Sequence, residues 1–156
     1  MFSGIIDEPV TFVNAPQIAE SRGLTYSVET QTEARAHRSA LEVQIVSSSG
    51  ETVTVTGALT GLEGVEKIVR INGRGLDMRA EGRNLFFRYT DAPGALGTVG
   101  SKLGAKGINI EAAALTQASK GDGAILILRV ESEVPDELVN EIADALGASA
   151  LQVVLD

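Results

Sequence analysis

The chain has 156 residues, 44% of them hydrophobic, and a net charge of −8, enough for one ordinary domain or two small ones with an apolar core. The acidic surplus argues against nucleic acid and anionic membrane as partners, and no apolar run approaches the roughly 20 residues that span a bilayer. Cysteine is absent and His37 is the single histidine, which excludes thiol chemistry and cysteine-held zinc and leaves one candidate base for a nucleophilic triad.

The opening residues, MFSGIIDEPVTF, lack a signal-peptide pattern, so a cytoplasmic location is expected. FSGIIDEPVTFVNAP reads as the tail of a longer helical passage, and the chain is expected to be a fragment truncated at its N-terminus. Asn14 and Pro16 predict a short helix through APQIAESR, with Asn14 capping free amides and Gly23 ending it. Three strand signals follow: LTYSVET, then ALEVQIVSS, a Ser-Gly turn, and TVTVTGALTG with period-two alternation. The polar link TQTEARAHR, which holds His37, reads as loop or strand extension, and His37 as a surface residue. In EKIVRINGRGLDMRA, the Asn72-Gly73 pair between two strand-like runs predicts a hairpin.

A polar, glycine-containing break at residues 79–84 marks the expected domain boundary, giving domains 1–82 and 83–156. Beyond it LFFRYT reads as a strand, and Leu96, Val99 and Leu103 recur at helical spacing. INIEAAALTQ and GAILILRVE are two further strands joined through ASKGDG. Pro135 and Asp136 open a second helix with Leu138, Ile142 and Leu146 on one face, and SALQVVLD is a last strand. Strand, helix, strand, strand, helix, strand is the order of a ferredoxin-like fold. The expected class is therefore α+β, a sheet-rich first domain followed by a βαββαβ domain.

The glycine-rich stretch YTDAPGALGTVGSKLGAKGINI, residues 89–110, does not carry a nucleotide fingerprint. Gly94, Gly97 and Gly100 miss the G-x-G-x-x-G spacing, and no phosphate-loop motif occurs in the chain. On a helix, Gly97, Gly100 and Gly104 form a small-residue stripe, expected to pack closely against a sheet or a partner. The helix start is more informative. Its free amides can receive a carboxylate while Asp91 beside them can receive an ammonium, so an amino acid fits; Asp91 serves equally well as a simple N-cap. Asn109 can offer an amide to a ligand or merely mark a turn at Gly107.

The run FRYTDAPGALGTVGSKLGAKGINI closely resembles the ACT domain, a small-molecule sensor usually regulated by amino acids. VTFVNAP, AESRG, VTVTGAL and KIVRINGRGLDMRA resemble the intervening, allosteric substrate-binding domain that precedes it in the long-form D-3-phosphoglycerate dehydrogenases. The resemblance implies a non-catalytic regulatory region of an NAD-dependent oxidoreductase of serine synthesis, with no cofactor and no metal in this stretch and NAD in the parent enzyme. It implies L-serine as feedback inhibitor, bound where ACT domains meet in a homo-oligomer. The regulatory half of L-serine dehydratases is built from similar domains, and a stand-alone amino-acid-binding module is a third reading.

Carried over residue by residue, the effector contacts are Tyr89, Asp91, Gly94 and Ala95 on one chain and Asn109 on its neighbour. Some relatives have His and Asn where this chain has Tyr89 and Asp91; Tyr89 reads alternatively as sheet packing with its hydroxyl at the edge. Lys67, Arg79 and Arg129 match the basic positions of an anion site for phosphate or a phosphorylated substrate, where guanidinium forks suit phosphate oxygens. Gly75 stands where relatives can carry a histidine of that site. Read singly, each of the three cations is an ordinary solvated strand residue.

Overall fold

The computed structural model describes residue 11 and residues 13–30, 39–116 and 123–155. The chain's opening residues, most of the polar link with His37, and most of the ASKGDG connection lie outside them. The chain divides into two compact units, residues 1–35 and 36–156.

In the first unit, α1 (Ala15–Ser21) begins with Pro16 in its first turn, where proline has no amide to waste. Asn14 stands at the N-cap position but makes no capping bond there; its Oδ1 turns backward and accepts from the amide and hydroxyl of Thr11 at 2.6 and 3.0 Å. Gly23, at φ 70°, closes the helix: its amide and that of Leu24 return to the carbonyls of Glu20 and Ala19. The strand expected over LTYSVET does not form. Residues 24–30 have no strand pairing and Leu24, Tyr26 and Val28 are exposed, because alternation specifies a face but a strand needs a ladder partner.

The second unit opens with an antiparallel sheet of β1 (Ser39–Val46), β2 (Thr52–Thr60), β3 (Val65–Ile71) and β4 (Arg74–Arg79), in that spatial order. Asn72 and Gly73 turn β3 into β4 with φ 49° and 76°, the double positive φ of a two-residue hairpin turn. Asn72 also pairs with β2, accepting at Oδ1 from the Thr54 amide at 2.9 Å and donating its own amide to the Thr54 carbonyl. β1 is an edge strand exposed along its whole length.

β4 ends at Arg79 and β5 (Gly82–Tyr89) begins three residues on, so Ala80 and Glu81 alone join the two sheets. β5, α2 (Ala95–Ala105), β6 (Ile110–Thr116), β7 (Ala124–Val130), α3 (Asp136–Leu146) and β8 (Ser149–Leu155) follow in the expected order. The strands pair antiparallel as β6-β7-β5-β8, the arrangement of a ferredoxin-like fold. Leu85, Phe87 and Tyr89 alternate along β5 and join Val99 and Leu103 of α2 and Leu138, Val139 and Ile142 of α3 in the main core. Burial of each large side chain stabilises by roughly 1.5–3 kcal/mol.

Ile125 and Ile127 of β7 point the other way, packing with Ile71 and Met78 of the first sheet in a second cluster. β7 is thus covered on both faces, which explains why its first five residues, AILIL, read as one unbroken apolar run. The two helices are linked at their surface by Lys102 Nζ and Glu141 Oε1 at 2.5 Å, and this ammonium holds the Glu141 carboxyl below its ordinary value, first by hydrogen bonding. The glycine stripe does not pack into the sheet. A Cβ added at Gly97, Gly100 or Gly104 would meet nothing within 4 Å, so among the described residues these positions face open space.

Candidate effector and anion sites

β5 ends in Tyr89, which is only 4% exposed and belongs to the main core. Burial, and then the neighbouring Asp91 carboxylate, push its hydroxyl above the ordinary tyrosine value, so it stays protonated at physiological pH. Asp91 is exposed. It does not cap α2: the N-cap is Gly94, at φ 89°, and no side chain bonds to the first turn. Gly94 can occupy this left-handed conformation because it has no Cβ, and Ala95 follows as the first, buried residue of the helix. Tyr89, Asp91, Gly94 and Ala95 therefore form one continuous loop, with an acid on one side and a helix N-terminus on the other.

Behind that loop lies a contact that the sequence did not signal. A Cβ on Gly123 would stand 2.5 Å from the carbonyl oxygen of Tyr89, so the chain entering β7 rests directly on the backbone of the loop. The Gly123 carbonyl accepts from Arg74 Nη1 at 2.7 Å, which ties the first sheet to the same point.

Asn109 is exposed, and its carbonyl accepts from the Glu131 amide at 3.2 Å. Register shows how far it stands from the loop. Tyr89 is opposite Ala124 at one end of β7, whereas Ile110, next to Asn109, is opposite Val130 at the other. At about 3.4 Å per residue the two lie about 20 Å apart in one chain. No single amino acid spans that distance.

The three basic residues converge at the Asn109 end of the sheet. Lys67 and Arg79 are cross-strand partners on β3 and β4. Arg129 Nη1 reaches Glu81 Oε1 at 2.6 Å and its Nε reaches Glu111 Oε2 at 2.9 Å, while Arg79 Nη1 stands 3.7 Å from the same Glu81 oxygen. Lys67 Nζ pairs with Asp77 Oδ1 at 2.6 Å. Each cation thus faces a carboxylate, and Glu81 bridges two of them. Gly82, at φ 71°, lies against the Arg129 stem, where an added Cβ would stand 3.3 Å from Cδ. Asn84, 0% exposed, donates from Nδ2 to the carbonyls of Glu81 and Gly82 at 3.0 and 2.9 Å and so fixes the backbone of the connection.

Among the described residues no group of three His, Cys, Asp or Glu is placed to hold a metal ion, and no helix is long and apolar enough to cross a membrane.

Residues 83–147 match the family model of the ACT domain, and relatives align with nearly the whole chain. It is 46% identical, over 99% of its length, to the D-3-phosphoglycerate dehydrogenase of Mycobacterium leprae (strain TN). Its sequence matches the C-terminal, ACT-containing part of D-3-phosphoglycerate dehydrogenases. The enzyme of Mycobacterium tuberculosis (strain ATCC 25618 / H37Rv) is likewise 46% identical over 99% of the chain, and that of Bacillus subtilis (strain 168) is 30% identical over 96%. The chain spans 29% of the length of the two mycobacterial relatives and 28% of the third.

Proposed function

We propose that this chain regulates a D-3-phosphoglycerate dehydrogenase, with residues 83–156 as the ACT domain and residues 1–82 as an allosteric substrate-binding domain. L-Serine acts as feedback inhibitor. Its ammonium pairs with Asp91, its carboxylate lies at the free amides near Gly94 and Ala95, Tyr89 lines the loop, and Asn109 comes from a second copy in a homo-oligomer. The observation that carries this reading is the separation of about 20 Å between loop and Asn109 within one chain, set by six strand residues. An asparagine that distant can serve the ligand only from another subunit.

Lys67, Arg79 and Arg129 hold a phosphate or the phosphate of a phosphorylated substrate, and the NAD-dependent hydride chemistry belongs to catalytic domains of the intact cytoplasmic enzyme. Serine bound across two ACT domains favours one subunit arrangement, and that arrangement lowers catalytic activity. The named relatives, all D-3-phosphoglycerate dehydrogenases, favour this over regulation of an L-serine dehydratase.

Calorimetric titration with L-serine tests the effector site. Asp91→Ala and Asn109→Ala are each expected to weaken binding by roughly tenfold or more, since each removes a hydrogen bond to a charged group. Undiminished affinity in both variants would overturn the assignment.

A further inference from the structure

Resting on the proposed anion site, we infer that Glu81 is its built-in competitor: the Glu81 carboxylate occupies the guanidinium groups of Arg79 and Arg129, and a phosphate group enters by displacing it. Three observations lead here. Glu81 Oε1 is shared by two arginines, at 2.6 and 3.7 Å, whereas among the described residues Asp77 pairs with Lys67 alone and Glu111 with the Nε of Arg129 alone. Displacing Glu81 therefore releases the Nη1 of two guanidinium groups at once; displacing either of the others frees one donor group.

Mobility separates Glu81 from the arginine it holds. The Glu81 side chain is 53% exposed while that of Arg129 is 18% exposed, so the acid can swing into water and the guanidinium stays. Its backbone cannot follow, because the buried Asn84 amide grips the Glu81 and Gly82 carbonyls. Rotation of one side chain is then all that opening the site requires. Exposed ion pairs of this kind contribute little, whereas a phosphate offers several oxygens to charge-assisted, bidentate bonds.

Charge makes the exchange necessary. In this cluster three cations face three carboxylates, so a phosphate dianion added without displacement would meet no net positive charge. Glu81 also sits in the two-residue link between the sheets, so release of its side chain from Arg129 removes one tie between the first sheet's end and β7, beside the apolar cluster of Ile71, Met78, Ile125 and Ile127. Anion binding would thereby reach the relative freedom of the two sheets.

The test is calorimetric titration of the full chain with inorganic phosphate and, in a parallel arm, with 3-phosphoglycerate. Glu81→Gln keeps the side chain's size and removes its charge, and it is expected to tighten phosphate binding by roughly five- to tenfold, the scale of one or two exposed ion pairs. Glu137→Gln on α3, which removes the same charge from the helix layer, should change it by less than about threefold. Lys67→Ala with Arg79→Ala should weaken phosphate binding in either background. Tightening in only one arm shows which form of the phosphate group the site takes.

The outcomes separate cleanly. If the Lys67→Ala, Arg79→Ala variant loses phosphate while Glu81→Gln binds no more tightly than the parent chain, the anion site stands and the competitor role is overturned. Equal tightening by Glu81→Gln and Glu137→Gln overturns it as well, since only net charge would then matter. If Glu81→Gln itself binds no phosphate, both the competitor and the anion site fail.

Discussion

Gly123→Ala is expected to destabilise the chain by about 3 kcal/mol and lower its melting temperature by roughly 10 °C, measured by thermal unfolding. The added methyl would lie 2.5 Å from the Tyr89 carbonyl oxygen and 3.2 Å from its carbon. Both are backbone atoms, and Tyr89 is held in register against Ala124 by the central pairing of the sheet. No flexible side chain is available to yield. Relief requires that the β7 entry lift away from β5, which strains the Arg74 bond to the Gly123 carbonyl and shifts the carbonyl that begins the loop from Tyr89 to Ala95. Serine affinity should fall along with stability. By contrast, Gly97→Ala faces open space and, as glycine inside a helix is disfavoured relative to alanine by about 1 kcal/mol, should not destabilise the isolated chain.

Asn84→Asp is expected to cost about 3 kcal/mol at neutral pH, read from denaturant unfolding, through burial of a charge without a partner. The asparagine amide donates to two carbonyls, and a carboxylate would turn an oxygen toward the same two acceptors in a fully buried position. Arg129 sits opposite on β7, but its Nη1 and Nε are already engaged by Glu81 and Glu111. The substituted acid would therefore remain protonated in the folded state to a higher pH than in the unfolded state. The deficit is accordingly small at acid pH and grows as pH rises through and above the unfolded carboxyl range, until the folded group ionises. Asn84→Leu should cost less, about 1–2 kcal/mol and with no such pH dependence, because it forfeits two donors but also removes Oδ1, which finds no partner among the described residues.

Much of the second unit was legible because local chemistry and global pairing agree. Asn72-Gly73 announces its turn since few other pairs accept two positive φ values, and the structure gives 49° and 76°. Leu138 and Ile142 repeat at helical spacing and both lie in the core. What the sequence left dark depends on which strands meet. Leu24, Tyr26 and Val28 alternate as a strand would, yet residues 24–30 pair with no strand. Asn14 suits an N-cap by type, but a nearer hydrogen bond to Thr11 claims its side chain.

The candidate sites divide in the same way. Tyr89, Asp91 and Gly94 are neighbours in sequence, so their loop could be drawn beforehand. Glu81 gives no sign of its role, because its partner Arg129 lies 48 residues on and meets it only through the β5–β7 register. Gly123 stands beside a strand start like many glycines; the carbonyl that forbids it a side chain comes from another strand. The distance between the loop and Asn109 likewise appears only once Tyr89 and Ile110 are placed at opposite ends of β7.

The central claim, an amino-acid site shared between two copies of the chain, is tested most directly by mixing two defective variants. Asp91→Ala and Asn109→Ala chains, each expected to bind L-serine poorly alone, are unfolded together, refolded and titrated. A mixed pair holds one site with both residues intact and one with neither, so random pairing should restore about one site in four at the parent affinity. No recovery in the mixture, with mixed oligomers verified by mass spectrometry, would contradict a site built from two chains.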